Sequence, residues 1–162
     1  MHGTANSSTN YTNTQAELLI AKDRLNLLME RKEKIYTKFF PLVARMSDTP
    51  SHTNKKSDPM ADYVYEITKP NPITGISLDQ EIEEARNDVG RLEYCLKKMK
   101  LNLKTLTGIE NELFYMIVIE GYGKTKAVNK VAEKYNKEPR TIWKFYYPKI
   151  KEEISKSSVN VQ

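Results

Sequence analysis

From Gln15 onward the chain alternates apolar and polar positions at helical steps, with Leu18, Ala21, Leu25, Leu28, Ile35, Phe39, Leu42 and Met46 falling on one face. A helix over residues 15–45 is expected. Lys32 interrupts that stripe, and Pro41 lacks the amide a continuing helix needs, so a kink or an end is expected near Phe39 and Phe40. The second stripe has no gap: Leu78, Ile82, Ala85, Val89, Leu92, Leu96, Met99, Leu103 and Leu106 keep a heptad-like period. Ser77 stands where an N-cap belongs, and Asp79 and Glu81 fall in the first turn, where the helix dipole favours acids. Two such stripes predict a long helical hairpin within one chain or a coiled coil between chains, and spacing alone fits both.

Between the stripes, residues 47–59 are turn formers and lysines without apolar period, which predicts a mobile linker. A short helix over residues 60–68 is expected around Tyr63, Val64 and Ile67, followed by a tight turn at Lys-Pro-Asn-Pro-Ile-Thr-Gly. After Gly108 the pattern changes. Ile109, Leu113, Phe114, Ile117 and Val118 mark a short amphipathic helix, and Glu120-Gly121-Tyr122-Gly123 breaks it. A second helix is expected over residues 125–135, ended by Asn136; Pro139 then starts a third, and Pro148 closes or kinks it. Residues 1–14 contain no Lys, Arg, Asp or Glu and little that is apolar, which predicts a disordered tail. The expected division is therefore a tail at 1–14, a helical region at 15–106, a three-helix module at 107–156 and a second tail at 157–162.

Composition agrees with helices: glycine is scarce at 6 residues, 29% of the chain is charged, and the class predicted is all-α. No run approaches the length of a membrane span, and no apolar segment resembles a secretory signal, so neither a membrane-spanning helix nor a secretory signal is expected. The single Cys95 forms no internal disulfide and has no neighbouring thiolates for a zinc site. A cytoplasmic location in a reducing compartment fits, and the sequons at Asn6 and Asn10 are then chance.

Net charge sharpens the picture. The chain carries +5, with a pI near 9.1, which favours a polyanion: nucleic acid first, an anionic membrane second. The charge is segregated. Residues 121–156 hold ten Lys and Arg against four acids, or +6, whereas residues 76–96 hold two against six, or −4. A charge serving only solubility has no reason to concentrate on one module.

In that module the spacing resembles the helix-turn-helix motif. With Val128 as the first position, Ala132 falls where a small residue lets two helices cross closely, Asn136 where the backbone turns left-handed, and Ile142 where a side chain must be buried. Asn replaces the commoner Gly at the turn, which it tolerates better than other residues. With Ile142 and Phe145 turned inward, Arg140, Thr141, Trp143, Lys144 and Tyr147 are expected on the outer face of a helix lying in the major groove. Arg140 is the candidate for two hydrogen bonds to a guanine, and Thr141 for a base edge or phosphate. Lys144, Lys126, Lys124 and Lys137 are candidate phosphate contacts.

Residues 108–151 resemble the sigma-factor region 4 type of helix-turn-helix, carried by Leu113-Phe114-Tyr115-Met116-Ile117, Lys126-Ala127-Val128, Val131-Ala132 and Pro139-Arg140-Thr141-Ile142-Trp143-Lys144. A helical part followed by this module is similar to phage late-gene transcriptional regulators of the ArpU and RinA kind. The resemblance implies a sequence-specific regulator of phage or prophage genes, binding double-stranded DNA as a homodimer or higher oligomer. Host RNA polymerase is a further candidate partner. No segment resembles the strand-melting region of a complete sigma factor.

Two other classes share the pattern. A small terminase-like subunit also joins a helix-turn-helix to an oligomerising helical part, and a phage inhibitor of a host factor could keep the fold while contacting protein. An enzyme fits poorly, and no cofactor is expected. Gly123-Lys124-Thr125 imitates the end of a phosphate loop, but Val118 stands where the first glycine belongs. His2 and His52 lie in tail and linker, so no Ser-His-acid set is assembled.

Overall fold

The computed structural model describes residues 4–41 and 58–159, and every regular element among them is a helix. Six helices follow in order: α1 (Thr4–Phe39), α2 (Pro59–Thr68), α3 (Leu78–Thr105), α4 (Ile109–Phe114, prolonged by a π-helical turn Tyr115–Ile119), α5 (Lys124–Lys134) and α6. Helix α6 is continuous through Pro139–Thr141, a π-helical stretch Ile142–Tyr146 and Tyr147–Val159. The chain divides into two units, one of residues up to Ile20 together with those from Gly90 onward, the other Ala21–Val89.

In the Ala21–Val89 unit, Ile67, Leu78 and Ile82 form a buried cluster onto which Leu25, Leu28, Ile35 and Tyr63 pack. The apolar positions of α1 and α3 thus meet within the chain. Lys32, which interrupts the stripe in the sequence, pairs with Asp79 at 2.8 Å. Helix α3 begins with the expected cap: the Ser77 N–H donates to Gln80 Oε1 at 3.0 Å, and the Gln80 N–H donates to Ser77 Oγ at 3.3 Å. Asp58 caps α2 by accepting from the Met60 N–H at 3.0 Å. The first helix ends at Phe39, six residues before the expected 45, because Pro41 supplies no donor. Of the expected linker 47–59, residues 47–57 lie outside the described residues.

The other unit is built on a larger cluster in which Leu113, Phe114, Ala127, Val128, Val131 and Ile142 are almost fully buried. Tyr11, Leu96 and Leu103 belong to the same cluster. The expectation of a disordered tail at 1–14 is therefore corrected, since α1 starts at Thr4 and Ser8, Tyr11 and Thr12 are buried. Composition misleads because, apart from the one Tyr11 ring, the side chains buried here are small hydroxyl residues, Ser8 and Thr12. Thr9 Oγ1 and Thr12 Oγ1 donate to the two carboxylate oxygens of Glu153 at 3.0 and 3.1 Å. Beside them the Tyr11 ring meets the Phe114 ring edge-on, with centroids 6.1 Å apart. The expected second tail is also corrected, because α6 runs to Val159 and buries Ser157.

Of the two outcomes expected at Pro148, a closed or a kinked helix, the first does not occur: α6 runs on to Val159. A proline in a helix removes its own N–H and collides with the carbonyl four residues back. The helix widens immediately before it instead: the Tyr147 N–H reaches back five residues to the Ile142 carbonyl, and the chain passes Pro148 without stopping.

Candidate nucleic-acid interface

The residues singled out by the sequence lie on α5, α6 and the turn between them. That turn is fixed by backbone chemistry. Asn136 adopts φ 50, its N–H donates to the Glu133 carbonyl at 3.2 Å, and the Lys137 N–H donates to the Ala132 carbonyl at 2.9 Å. This pair of bonds is the left-handed ending in which two otherwise orphaned carbonyls at a helix C-terminus are satisfied. Ala132 is 2% exposed, and Ile142 is wholly buried across from α5. Glu138 is extended, Pro139 opens α6, and the Thr141 N–H donates to the Glu138 carbonyl at 2.9 Å.

The π-helical stretch decides which side chains of α6 face solvent. With an ordinary helical spacing Phe145 would follow Ile142 inward, as the sequence predicts. The widened turn delays the inward positions, so that Tyr146, Tyr147, Ile150 and Ile154 pack with Ile142 while Phe145 is 57% exposed. Two expectations are corrected here. Phe145 is a surface residue rather than core, and Tyr147, expected at the interface, is 8% exposed. A wide turn leaves no mark in apolar periodicity except the Pro148 that follows it.

Arg140 and Lys144 are exposed, Thr141 is half-buried, and Trp143 is 37% exposed with its ring 4.6 Å from that of Tyr147. Arg140 and Lys144, four apart, share a face that neither Ile142 nor Ile150 occupies. On α5 and its flanks, Lys124, Lys126 and Lys137 are exposed. Lys126 Nζ and Lys130 Nζ stand 5.0 and 4.4 Å from the centroid of the Tyr122 ring, and Lys130 also donates to the Tyr122 hydroxyl at 3.2 Å. The ring faces hold these cations without neutralising them.

Sequence counting treated all ten cations alike, and the structure separates them. Lys134 pairs with Glu112 and Lys149 with Glu110, both at 2.7 Å, and these hydrogen bonds raise the two ammonium pKa values above the usual lysine range. Lys156 pairs with Glu152 along α6. By contrast, Lys124, Lys126, Lys130, Lys137, Arg140 and Lys144 have no carboxylate partner among the described residues, and neither has Lys151 farther along α6. Lys130 joins the set without having been singled out; its place over the same tyrosine as Lys126 follows from their i, i+4 spacing.

No family model, curated protein or solved structure matches this chain. Among the described residues no cluster of His, Cys, Asp or Glu is suited to holding a metal ion, and no helix is long and apolar enough to cross a membrane.

Proposed function

We propose that the chain is a sequence-specific DNA-binding regulator of phage or prophage genes, acting in the cytoplasm of a bacterial host. In this reading α4, α5 and α6 form a helix-turn-helix module, α6 lies in the major groove, and the apolar stripes of α1 and α3 form a helical hairpin. One observation carries it: of the seven cations of residues 121–156 without a carboxylate partner, six lie on α5, the Asn136 turn and the start of α6 and only Lys151 lies farther along, whereas Lys134 and Lys149 are tied to α4. A basic surface with uncommitted donors at the start of a helix is what phosphate and base-edge contacts require. A second copy of the chain would place a second module on the same duplex and convert its binding into an intramolecular step.

Titration of the full chain with duplex DNA at several salt concentrations tests the proposal. Log affinity should fall linearly with log salt, with a slope set by the number of phosphates neutralised. Absence of binding, or binding indifferent to salt, would remove it. Mapping occupancy along the host and phage genomes then separates a regulator, found at promoters, from a packaging subunit, found at a packaging site.

A further inference from the structure

We infer that Phe145 reads thymine, by packing against the 5-methyl groups that project into the major groove. The inference rests on the DNA-binding reading and gives that interface a base preference. Phe145 is 57% exposed on a helix whose tyrosines, Tyr146 and Tyr147, are drawn into the core and whose Trp143 is exposed to 37%. It is kept out by the π-helical stretch Ile142–Tyr146, which turns Tyr146 inward in its place. A phenyl ring left largely in water forfeits much of its burial free energy, which a covering surface would recover.

Its surroundings say what kind of surface would cover it. Lys144 Nζ lies 5.2 Å from the Phe145 ring centroid, and Arg140 and Lys144 are exposed without carboxylate partners. An apolar protein partner would have to bury these cations beside the ring, at a high desolvation cost unless it brought matching acids. Duplex DNA supplies both requirements in one groove: phosphates for the cations, and thymine methyls as the apolar groups among the base edges.

The test uses the full chain and short random-sequence duplexes, from which bound sequences are enriched over several rounds. The enriched duplex is then synthesised with thymine and with uracil, which has the same pairing and charge and lacks only the methyl. Wild-type protein should bind the thymine form more tightly by about four-fold for each methyl covered, the worth of burying one such group. Phe145→Ala should bind both forms alike, with the affinity of wild type for the uracil form. Its thermal melting should match wild type, since an exposed ring is removed. Equal wild-type affinity for the two forms would overturn the thymine contact while leaving DNA binding in place. A thymine preference that survives Phe145→Ala would also overturn it. Failure to enrich any sequence would remove sequence-specific binding itself.

Discussion

The hydroxyl of Tyr135 donates to Glu112 Oε1 at 2.7 Å, joining the end of α5 to the first turn of α4. The same phenol oxygen accepts from the Gly108 N–H at 3.0 Å, and Glu112 Oε1 accepts a second bond, from Lys134, at 2.7 Å. Gly108 precedes α4 at φ 121, a backbone region closed to most side chains, and α4 has no side-chain cap. Tyr135 therefore fixes the entry of α4 where a capping residue is missing.

Tyr135→Phe should lower unfolding stability by about 1 to 2 kcal/mol, because it removes two hydrogen bonds and leaves the Gly108 amide without its partner. Lys134→Ala should change stability little, since its ammonium is exposed and an ion pair at the surface is screened. Urea unfolding of both variants makes the comparison, and equal effects would deny the phenol this role.

The same phenol should titrate late. Partial burial, and then the bond to Glu112, raise the Tyr135 pKa above the ordinary tyrosine range. Because the protonated form is favoured in the native state, its contribution to stability is complete below the unfolded pKa. It is lost as pH rises through the higher native value. Ultraviolet difference titration of wild type against Tyr135→Phe should show one tyrosine ionising above the exposed ones. If the missing absorbance change lies at the ordinary range, the hydrogen bond does not persist in solution.

Tyr11→Ala should destabilise the unit containing α4 to α6 by roughly 3 kcal/mol, the scale for truncating a buried aromatic side chain. Tyr11 is 4% exposed and edge-on to Phe114. By the same argument a fragment of residues 108–156 loses Tyr11, Leu96 and Leu103 from its core and should melt far below the full chain. A fragment that melts cooperatively at the full-chain temperature would show that the α1 contacts are dispensable.

How much of this was legible in the sequence depends on which force places each residue. Hydrocarbon burial leaves a period, so the stripe of α3 could be followed residue by residue, and Ser77 and Asn136 announced a cap and a left-handed turn by their chemistry. The start of α1 could not be found that way. It is held by Thr9 and Thr12 on Glu153, more than 140 positions away, and a hydroxyl bonded to a distant carboxylate looks in sequence like one bonded to water. At the candidate interface, Arg140, Lys144 and Lys126 are exposed as periodicity predicts. The exchange of Phe145 for Tyr147 was hidden because one widened turn shifts every later position while the residue types stay the same.

Leu96→Asp tests whether the α3 seam belongs to one chain. Leu96 is 8% exposed within a single copy and shares a cluster with Tyr11 and Leu103. A carboxylate there lacks a partner and costs several kcal/mol or takes up a proton. Circular dichroism should show lost helicity, and light scattering should show that the loss does not require a change in oligomeric state. Retained helicity with a halved mass would instead place the seam between two chains.

Arg140→Ala and Lys126→Ala should separate base reading from backbone holding. Arg140 lies in the first turn of α6, where a side chain reaches base edges, while Lys126 lies in α5 with its ammonium 5.0 Å from the Tyr122 ring centroid. Removing Arg140 should cost about 1 to 3 kcal/mol on the enriched duplex and little on a scrambled one, because a lost bidentate base contact removes discrimination. Removing Lys126 should weaken both duplexes alike and reduce the slope of log affinity against log salt by about one, the signature of one phosphate contact. Titrating each variant on both duplexes across a salt series gives the comparison. Equal weakening of both duplexes by Arg140→Ala would make it a phosphate contact and move base reading to its neighbours on α6; no effect from either change would turn this basic surface toward a protein.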